Sequence, residues 1–311
     1  MKEAIIIGSG MIGGKAAGYF KAKQHLERED VRQLNPDLAS RVRFPKTVCI
    51  TTDCFTSFIK ENNLLPEIQK YRWSEETAYD RLKEYFLQGK FSETLLNSFR
   101  AVLQKMTYPL AVRSSSVLED RAGTSFAGKY LTLFISNRGT LEERLGQLCE
   151  AIKRVYAATY SPDALYYREK HDLLEETEQM AILLQQAVGR EYEGNFLPLV
   201  AGVAFSQNGF LWNSEIKKEE GIVRLVFGLG TRAVGRGYAR IFSPGKPMAR
   251  PEGTEAGEIT KFSQGIVDVL DLQNNCLKEV RATNLVKDGL HCYPRAQKLF
   301  SLREDQYLYT P

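Results

Sequence analysis

No apolar run in the sequence reaches the ~18 residues that a membrane-spanning helix requires, and Met1-Lys2-Glu3 is followed by only four apolar residues, Ala4 to Ile7. That excludes a bilayer-crossing helix and reads as a buried strand, not a signal peptide, so the expected compartment is cytoplasmic. Cysteine is scarce: Cys49, Cys54, Cys149, Cys276 and Cys292 are odd in number and scattered, which suits reduced thiols better than a disulfide framework. Cys49 and Cys54 have no neighbouring Cys or His to complete a zinc site. Histidine is rarer still, with His25, His171 and His291 in unrelated settings. Charge of one sign is also lacking. Lys and Arg number 42 against 38 Asp and Glu, a net +4, which is not the concentrated basic footprint of a nucleic-acid binder. What remains, 43% hydrophobic and 26% charged residues in a chain of 311, describes a soluble globular protein large enough for two lobes.

Glycine is where the sequence becomes specific. In Ala4-Ile5-Ile6-Ile7-Gly8-Ser9-Gly10-Met11-Ile12-Gly13-Gly14-Lys15-Ala16, a short apolar run feeds Gly8, Gly10 and Gly13 at the spacing G-x-G-x-x-G. A dinucleotide fold needs a second strand about twenty residues on, ending in an acid for the ribose. The stretch at that place, Leu26 to Val31, has acids but no preceding apolar strand. A P-loop would need glycine where Ser9 stands and a hydroxyl where Ala16 stands. Two readings stay open: tight strand-to-helix packing, or a phosphate site of another kind in which Lys15 lies beside flexible backbone.

The pattern predicts strands at 3–8 and 47–51 and a helix at 12–24, with Ala16, Ala17 and Gly18 toward a sheet. Thr52-Asp53 is expected to cap a helix running to about Glu61. Residues 66–105 and 140–178 read as helical, the latter broken near Ser161-Pro162. Strands are expected at 110–112, 130–135, 181–184, 199–205, 222–227, 266–272 and 277–280, and an exposed loop at 243–260. The charged segment 189–196 has no assignment.

The most informative segment is Val112-Arg113-Ser114-Ser115-Ser116, followed by Glu119-Asp120 and Gly123-Thr124-Ser125-Phe126-Ala127-Gly128. Arg113 follows a buried strand, so its guanidinium rises from a rigid base and can grip phosphate oxygens in a fork. Ser114 to Ser116 offer short hydroxyls, and the backbone N–H groups of 123–128 could line an anion.

These blocks, in order and spacing, resemble the nucleotide-binding domain shared by phosphoenolpyruvate synthase, pyruvate phosphate dikinase and rifampin phosphotransferase. Gly13-Gly14-Lys15 looks like that family's opening Gly-Gly-Lys, and Pro45 with Thr51-Thr52 like its strand-to-helix entry, without the usual Gly-Phe. Leu184-Gln185-Gln186-Ala187-Val188 is similar to its adenine-holding strand and hinge. Gly202-Val203-Ala204-Phe205-Ser206 and Phe227-Gly228-Leu229-Gly230, with Val234 and Gly235, resemble two further blocks.

The resemblance implies an α/β (α+β), ATP-grasp-like fold with a helical insertion and ATP held between two lobes, here about 1–180 and 181–311. It implies transfer of the β-phosphoryl of ATP to a histidine on a separate domain, then to pyruvate or a similar acceptor. Carried over, Lys15 and Arg113 would act catalytically by neutralising phosphate charge. Ser114, Gly123, Thr124, Ser125 and Gly128 would bind phosphates, and Gln185, Ala187 and Val188 the adenine. The family's Thr-x-Ser-His is absent, and no acidic residue followed by Gln-x-Arg on the next strand is found before Pro311. The magnesium ligands are therefore expected beyond residue 311, along with the phosphohistidine and pyruvate-binding domains of the same polypeptide. The 311 residues alone are then expected to be inactive. Two other readings are a non-catalytic nucleotide-binding regulatory module and a rifampin-phosphotransferase-like enzyme; a dinucleotide oxidoreductase would leave 113–128 without a role.

Overall fold

The apolar run ahead of the glycines forms a strand, β1 (Ile5–Ile7), and the chain then enters helix α1 (Gly13–Glu27). In the computed structural model, residues 5–71, 77–118, 130–174, 178–234, 239–286, 293 and 298–309 are described. They divide into two compact units, 1–187 and 188–311.

In the first unit α1 is followed by α2 (Glu29–Leu34), α3 (Pro36–Arg41), β2 (Thr47–Ile50), α4 (Thr52–Glu61), α5 (Leu65–Lys70), α6 (Ala78–Gln88) and α7 (Glu93–Lys105). Then come β3 (Leu110–Ser116), β4 (Thr132–Ile135), α8 (Leu141–Ala158), α9 (Pro162–Lys170) and β5 (Met180–Gln186). The sheet order is β1-β2-β5-β3-β4. β1 and β2 run parallel, whereas β5 is antiparallel to both β2 and β3. That mixed sheet is not the parallel sheet of a dinucleotide fold. Residues 26–31, where a second strand would have to end, lie in α1 and α2.

Strand alternation sorts this sheet into two faces. Val48, Ile50, Leu110, Val112, Ile182 and Leu184 pack into one core with Phe55 and Phe58 of α4, Phe86 of α6, Phe99 of α7 and Ile152 of α8. The residues between them, Cys49 and Leu183, meet Ala16 and Phe20 of α1 on the other face. Of the small residues expected to face the sheet only Ala16 does so, since Ala17 and Gly18 are exposed. Helix starts follow local chemistry. Thr140 and Glu143 form a reciprocal capping box at α8, and Ser161 caps α9 ahead of Pro162, each satisfying backbone N–H groups that the first turn leaves unpaired.

The second unit contains β6 (Arg190–Tyr192), β7 (Asn195–Leu197), β8 (Ala201–Phe205), β9 (Ile222–Val226), α10 (Thr231–Val234), β10 (Arg240–Phe242) and α11 (Ala256–Lys261). It continues with β11 (Ile266–Asp271), β12 (Cys276–Arg281), α12 (Ala282–Leu285), β13 (Leu302–Glu304) and β14 (Tyr307–Tyr309). Its sheets run β10-β9-β8 and β12-β11-β7-β6, with β13-β14 as a separate hairpin. Leu197, Phe227, Val267, Val269 and Tyr293 form a core of their own. Two expectations are revised here. The unassigned segment 189–196 is largely the β6–β7 hairpin, turning at Glu193 and Gly194 with φ of 50° and 80°, the paired positive angles of a type I′ turn. The region 243–260 is not all loop, because α11 begins at Ala256.

Candidate functional site

The site in the first unit grows from the junction of α1 and β3. Ile12, at the N-cap of α1, has no side-chain oxygen with which to cap the helix. Ser115 of β3 acts in its stead: its hydroxyl accepts from Ala16 N–H at 3.0 Å and donates to Ile12 O at 2.8 Å. The hydroxyl thereby sits inside what would otherwise be the helix's first i→i−4 bond. This approach requires glycine at 13. A Cβ there would lie 1.9 Å from Ser115 O, and φ is +73°. Gly8 and Gly10 are packing residues too, closing on Thr51 and Asp53. The glycine spacing therefore encodes contacts of the β1–α1 turn with β3 and α4.

The same junction aims Lys15. Its Nζ donates to Ser114 O at 2.8 Å and Ser114 Oγ at 3.1 Å. Beside it, Arg113 Nη1 donates to Gln185 Oε1 at 2.8 Å. Gln185 is the diagonal neighbour of Arg113 across β3–β5 and stands directly opposite Thr47 on β2. Its Nε2 donates to Thr47 Oγ1 at 3.2 Å, and that hydroxyl lies 2.9 Å from Pro45 O and 3.1 Å from the Tyr19 hydroxyl of α1. A polar line thus crosses three strands on the α1 face from Thr47 to Arg113, and the residue after Arg113 holds Lys15 in the first turn of α1. Such an arrangement favours anionic oxygens, because the helix dipole and both side chains carry the same sign.

Thr52-Asp53 does not cap α4, which begins at Thr52 itself. Instead Thr51 occupies the N-cap and Asp53 turns to the glycine turn, accepting from Ser9 N–H at 2.9 Å, Ser9 Oγ at 3.1 Å and the Thr51 hydroxyl. Burial works to raise its pKa, but these bonds and one from Gly10 N–H outweigh it and hold the carboxyl at about 2.

Of the other expected site residues, Ala187 is buried with its N–H on Pro109 O at 2.9 Å, and Val188, the first residue of the second unit, is 66% exposed. Gly123, Thr124, Ser125, Gly128 and Gly235 lie outside the described residues, as do Glu119, Asp120, His291 and Cys292. His25 sits in the last turn of α1, and His171 at the end of α9 stacks on Tyr167. Cys49, Cys54, Cys149 and Cys276 are free thiols; burial pushes Cys49 up to about 12 and Cys54 to about 11. A cavity of about 200 Å³ bordered by Leu26, Val31, Ala39, Val42 and Phe44 lies at the opposite end of α1 and includes none of these residues. No described helix is long and apolar enough to cross a membrane.

Sequence reasoning missed a second constellation, in the second unit. Gly228, at φ +88°, lets the chain lie against β11, where a Cβ would meet Val267 Cγ1 at 2.4 Å and Asp268 O at 2.8 Å. Leu229 N–H then donates to Asp268 O at 2.9 Å, which places Thr231 and Arg232 over the strand. Thr231 Oγ1 donates to Asp268 Oδ2 at 2.5 Å, and Arg232 Nε to Asp268 Oδ1 at 2.7 Å. Arg232 Nη2 also reaches Glu279 Oε1 at 2.6 Å. Burial acts against the Arg232 charge, yet the bonds to Asp268 and Glu279 prevail and its pKa is raised. Asp268 and Glu279 are register partners across β11–β12. With Arg281 two residues on, an acid on one strand faces Glu-x-Arg on the next, a Glu in place of the Gln of Gln-x-Arg. The available signal was a lone acid in the apolar run Ile266-Val267-Asp268-Val269-Leu270. Among the described residues no three His, Cys, Asp or Glu cluster as a metal site would.

Comparison with known proteins bears on the chain as far as residue 259 through a family model and beyond it through one longer relative. A family model described as pyruvate phosphate dikinase, AMP/ATP-binding domain, matches residues 9–259. The chain is 25% identical over 303 residues to a phosphoenolpyruvate synthase of Deinococcus radiodurans, covering 90% of this chain and 35% of the relative. It is 25% identical over 201 residues to a phosphoenolpyruvate synthase of Aeropyrum pernix, covering 59% and 22%. An uncharacterized phosphotransferase of Bacillus subtilis is 28% identical over 180 residues, covering 57% and 19%. The matched region thus spans about a third or less of the length of these relatives.

Proposed function

Since the chain belongs to the pyruvate phosphate dikinase AMP/ATP-binding domain family, we propose that it binds ATP for phosphoryl transfer, with Lys15 and Arg113 holding the phosphates. The observation that carries this reading is that both cations are anchored at neighbouring positions of β3, Arg113 rising from the strand and Lys15 held on Ser114, each oriented by a hydrogen bond to β3 or β5. Phosphoryl transfer asks little covalent chemistry of the protein and much positioning of charge. Cations whose side chains are already ordered lose less entropy on meeting a phosphate. Ser114 orients Lys15 and Gln185 orients Arg113, while Ser115 and Gly13 fix the distance between helix and strand. Gly123, Thr124, Ser125 and Gly128 are assigned to the phosphates and Gln185, Ala187 and Val188 to the adenine, as the family resemblance implies.

In this reading the β-phosphoryl of ATP passes to a histidine on another domain and from there to pyruvate or a similar acceptor. The names of the Deinococcus and Aeropyrum relatives support phosphoenolpyruvate formation as the outcome. Magnesium, which family membership implies, would find hard oxygen donors in Asp268 and Glu279. Two carboxylates suffice for an ion that keeps waters and phosphate oxygens as its remaining ligands. The donor set fits, and a cationic guanidinium already occupies the place between the carboxylates. When bound, the metal would supply neutralisation of phosphate charge. On this reading the magnesium ligands would fall within the 311 residues, an alternative to ligands supplied beyond them.

Calorimetric titration with ATP, with and without magnesium, tests the proposal, with NAD as control. ATP binding that weakens at least tenfold in Arg113→Ala, with NAD silent, is the expected result. NAD binding, or ATP binding indifferent to Arg113, would refute it.

A further inference from the structure

Arg232 makes a contact that the proposed reaction does not use: one guanidinium joins two carboxylates on neighbouring strands. We propose that Arg232 is the resident counter-cation of the Asp268–Glu279 pair and must release both carboxylates before a divalent cation can take them. The inference rests on reading that pair as the magnesium-binding residues.

Three observations place Arg232 there by construction. The antiparallel register sets Asp268 opposite Glu279, so both side chains leave the same face of the β11–β12 pair. The backbone bond from Leu229 to Asp268 ties the start of α10 to the same residue whose carboxylate Arg232 engages. Gly228 permits that approach, since a side chain there would collide with β11. The three participants also differ in exposure. Asp268 is 7% exposed at its side chain and Arg232 26%, whereas Glu279 is 71% exposed. A nearly buried carboxylate needs a compensating charge at all times, and in the absence of metal Arg232 supplies it. The solvent-facing Glu279 can let go at little cost, because an exposed ion pair is worth little.

Exchange of one cation for another then has a definite charge balance. With Arg232 in place, two carboxylates share a single positive charge. With a divalent ion in place, the carboxylates are fully compensated and a guanidinium is set free. Its planar fork of donors suits phosphate oxygens, so loading the metal would deliver a phosphate-binding group at the same moment. Metal affinity is thereby held down by an internal competitor.

The test is Mn²⁺ binding to the full chain without nucleotide, read by electron paramagnetic resonance of the free ion and by calorimetry. Arg232→Gln removes the competitor and is expected to bind Mn²⁺ roughly tenfold tighter than the unmodified chain. Adding Glu279→Gln to it should abolish the gain. Near-ultraviolet circular dichroism checks that each variant is folded. Should Arg232→Gln fail to fold, Arg232→Lys serves: its ammonium cannot span both carboxylates, and a smaller tightening is expected. Equal Mn²⁺ affinity with and without Arg232, lost on Glu279→Gln, would overturn the inference while leaving the magnesium assignment standing. No Mn²⁺ binding by any variant would overturn both, leaving an ordinary structural ion pair.

Discussion

Gly13 and Ser115 show how much can hang on single atoms. The Ser115 hydroxyl completes the first turn of α1, and the missing side chain at Gly13 allows it to come close enough. Gly13→Ala combines a positive φ with a backbone collision, and is expected to cost about 2–4 kcal/mol in a urea melt. ATP binding should fail with it, because Lys15 loses its register on Ser114. Asp53 makes a prediction in pH. Its carboxyl, held at about 2, contributes stability that is present above about pH 4 and disappears as the pH falls toward 2. After allowance for solvent screening the contribution is on the order of 1 kcal/mol. Comparing the chain with Asp53→Asn across pH 2–6 should show a stability difference near neutral that closes at the acid end. A constant difference would mean that Asp53 is not the clamp of the glycine turn.

At the scale of elements, the β6–β7 hairpin is the instructive case. Arg190-Glu191-Tyr192-Glu193-Gly194-Asn195-Phe196 carries too much charge to read as a strand pair. Pairing of β7 with β11 supplies what the local sequence lacks, burying Phe196 and Leu197. The turn is suboptimal by its own chemistry, because Glu193 adopts a positive φ that asparagine tolerates better. Glu193→Asn should therefore stabilise the chain by about 0.5–1 kcal/mol, seen as a higher urea midpoint at unchanged slope. A lower midpoint would show that contacts of the Glu193 side chain outweigh turn preference. The strand β5 is the opposite case. Met180 to Leu184 are buried without exception, and the continuous apolar run with a sheet neighbour on each side reads correctly from sequence alone.

The whole molecule is two units with separate cores. The first-unit core is drawn from residues before 188 and the second from residues after it. A chain of residues 1–187 is therefore expected to unfold cooperatively in urea, retaining the Arg113–Gln185–Thr47 line because all three residues lie within it. A broad, non-cooperative melt would show that the first unit depends on the second. The matched region covers about a third or less of the relatives' length.

The amino-acid sequence by itself determined the strands and helices with strong periodicity and the family, and it singled out Lys15 and Arg113 as the cations to propose for the phosphates. These are local signals: alternation, spacing and residue type can be read without knowing what lies opposite. It could not decide what the glycines at 8, 10 and 13 were for, since phosphate contact and close packing impose the same residue. The tertiary structure decided that by bringing Ser115 under Gly13 across a hundred residues of chain. Nor could it join Arg232 to Asp268 and Glu279. Those side chains are separated in sequence and meet only because the β11–β12 register and the turn at Gly228 place them on one face. Register is a relation between strands, and no single strand carries it.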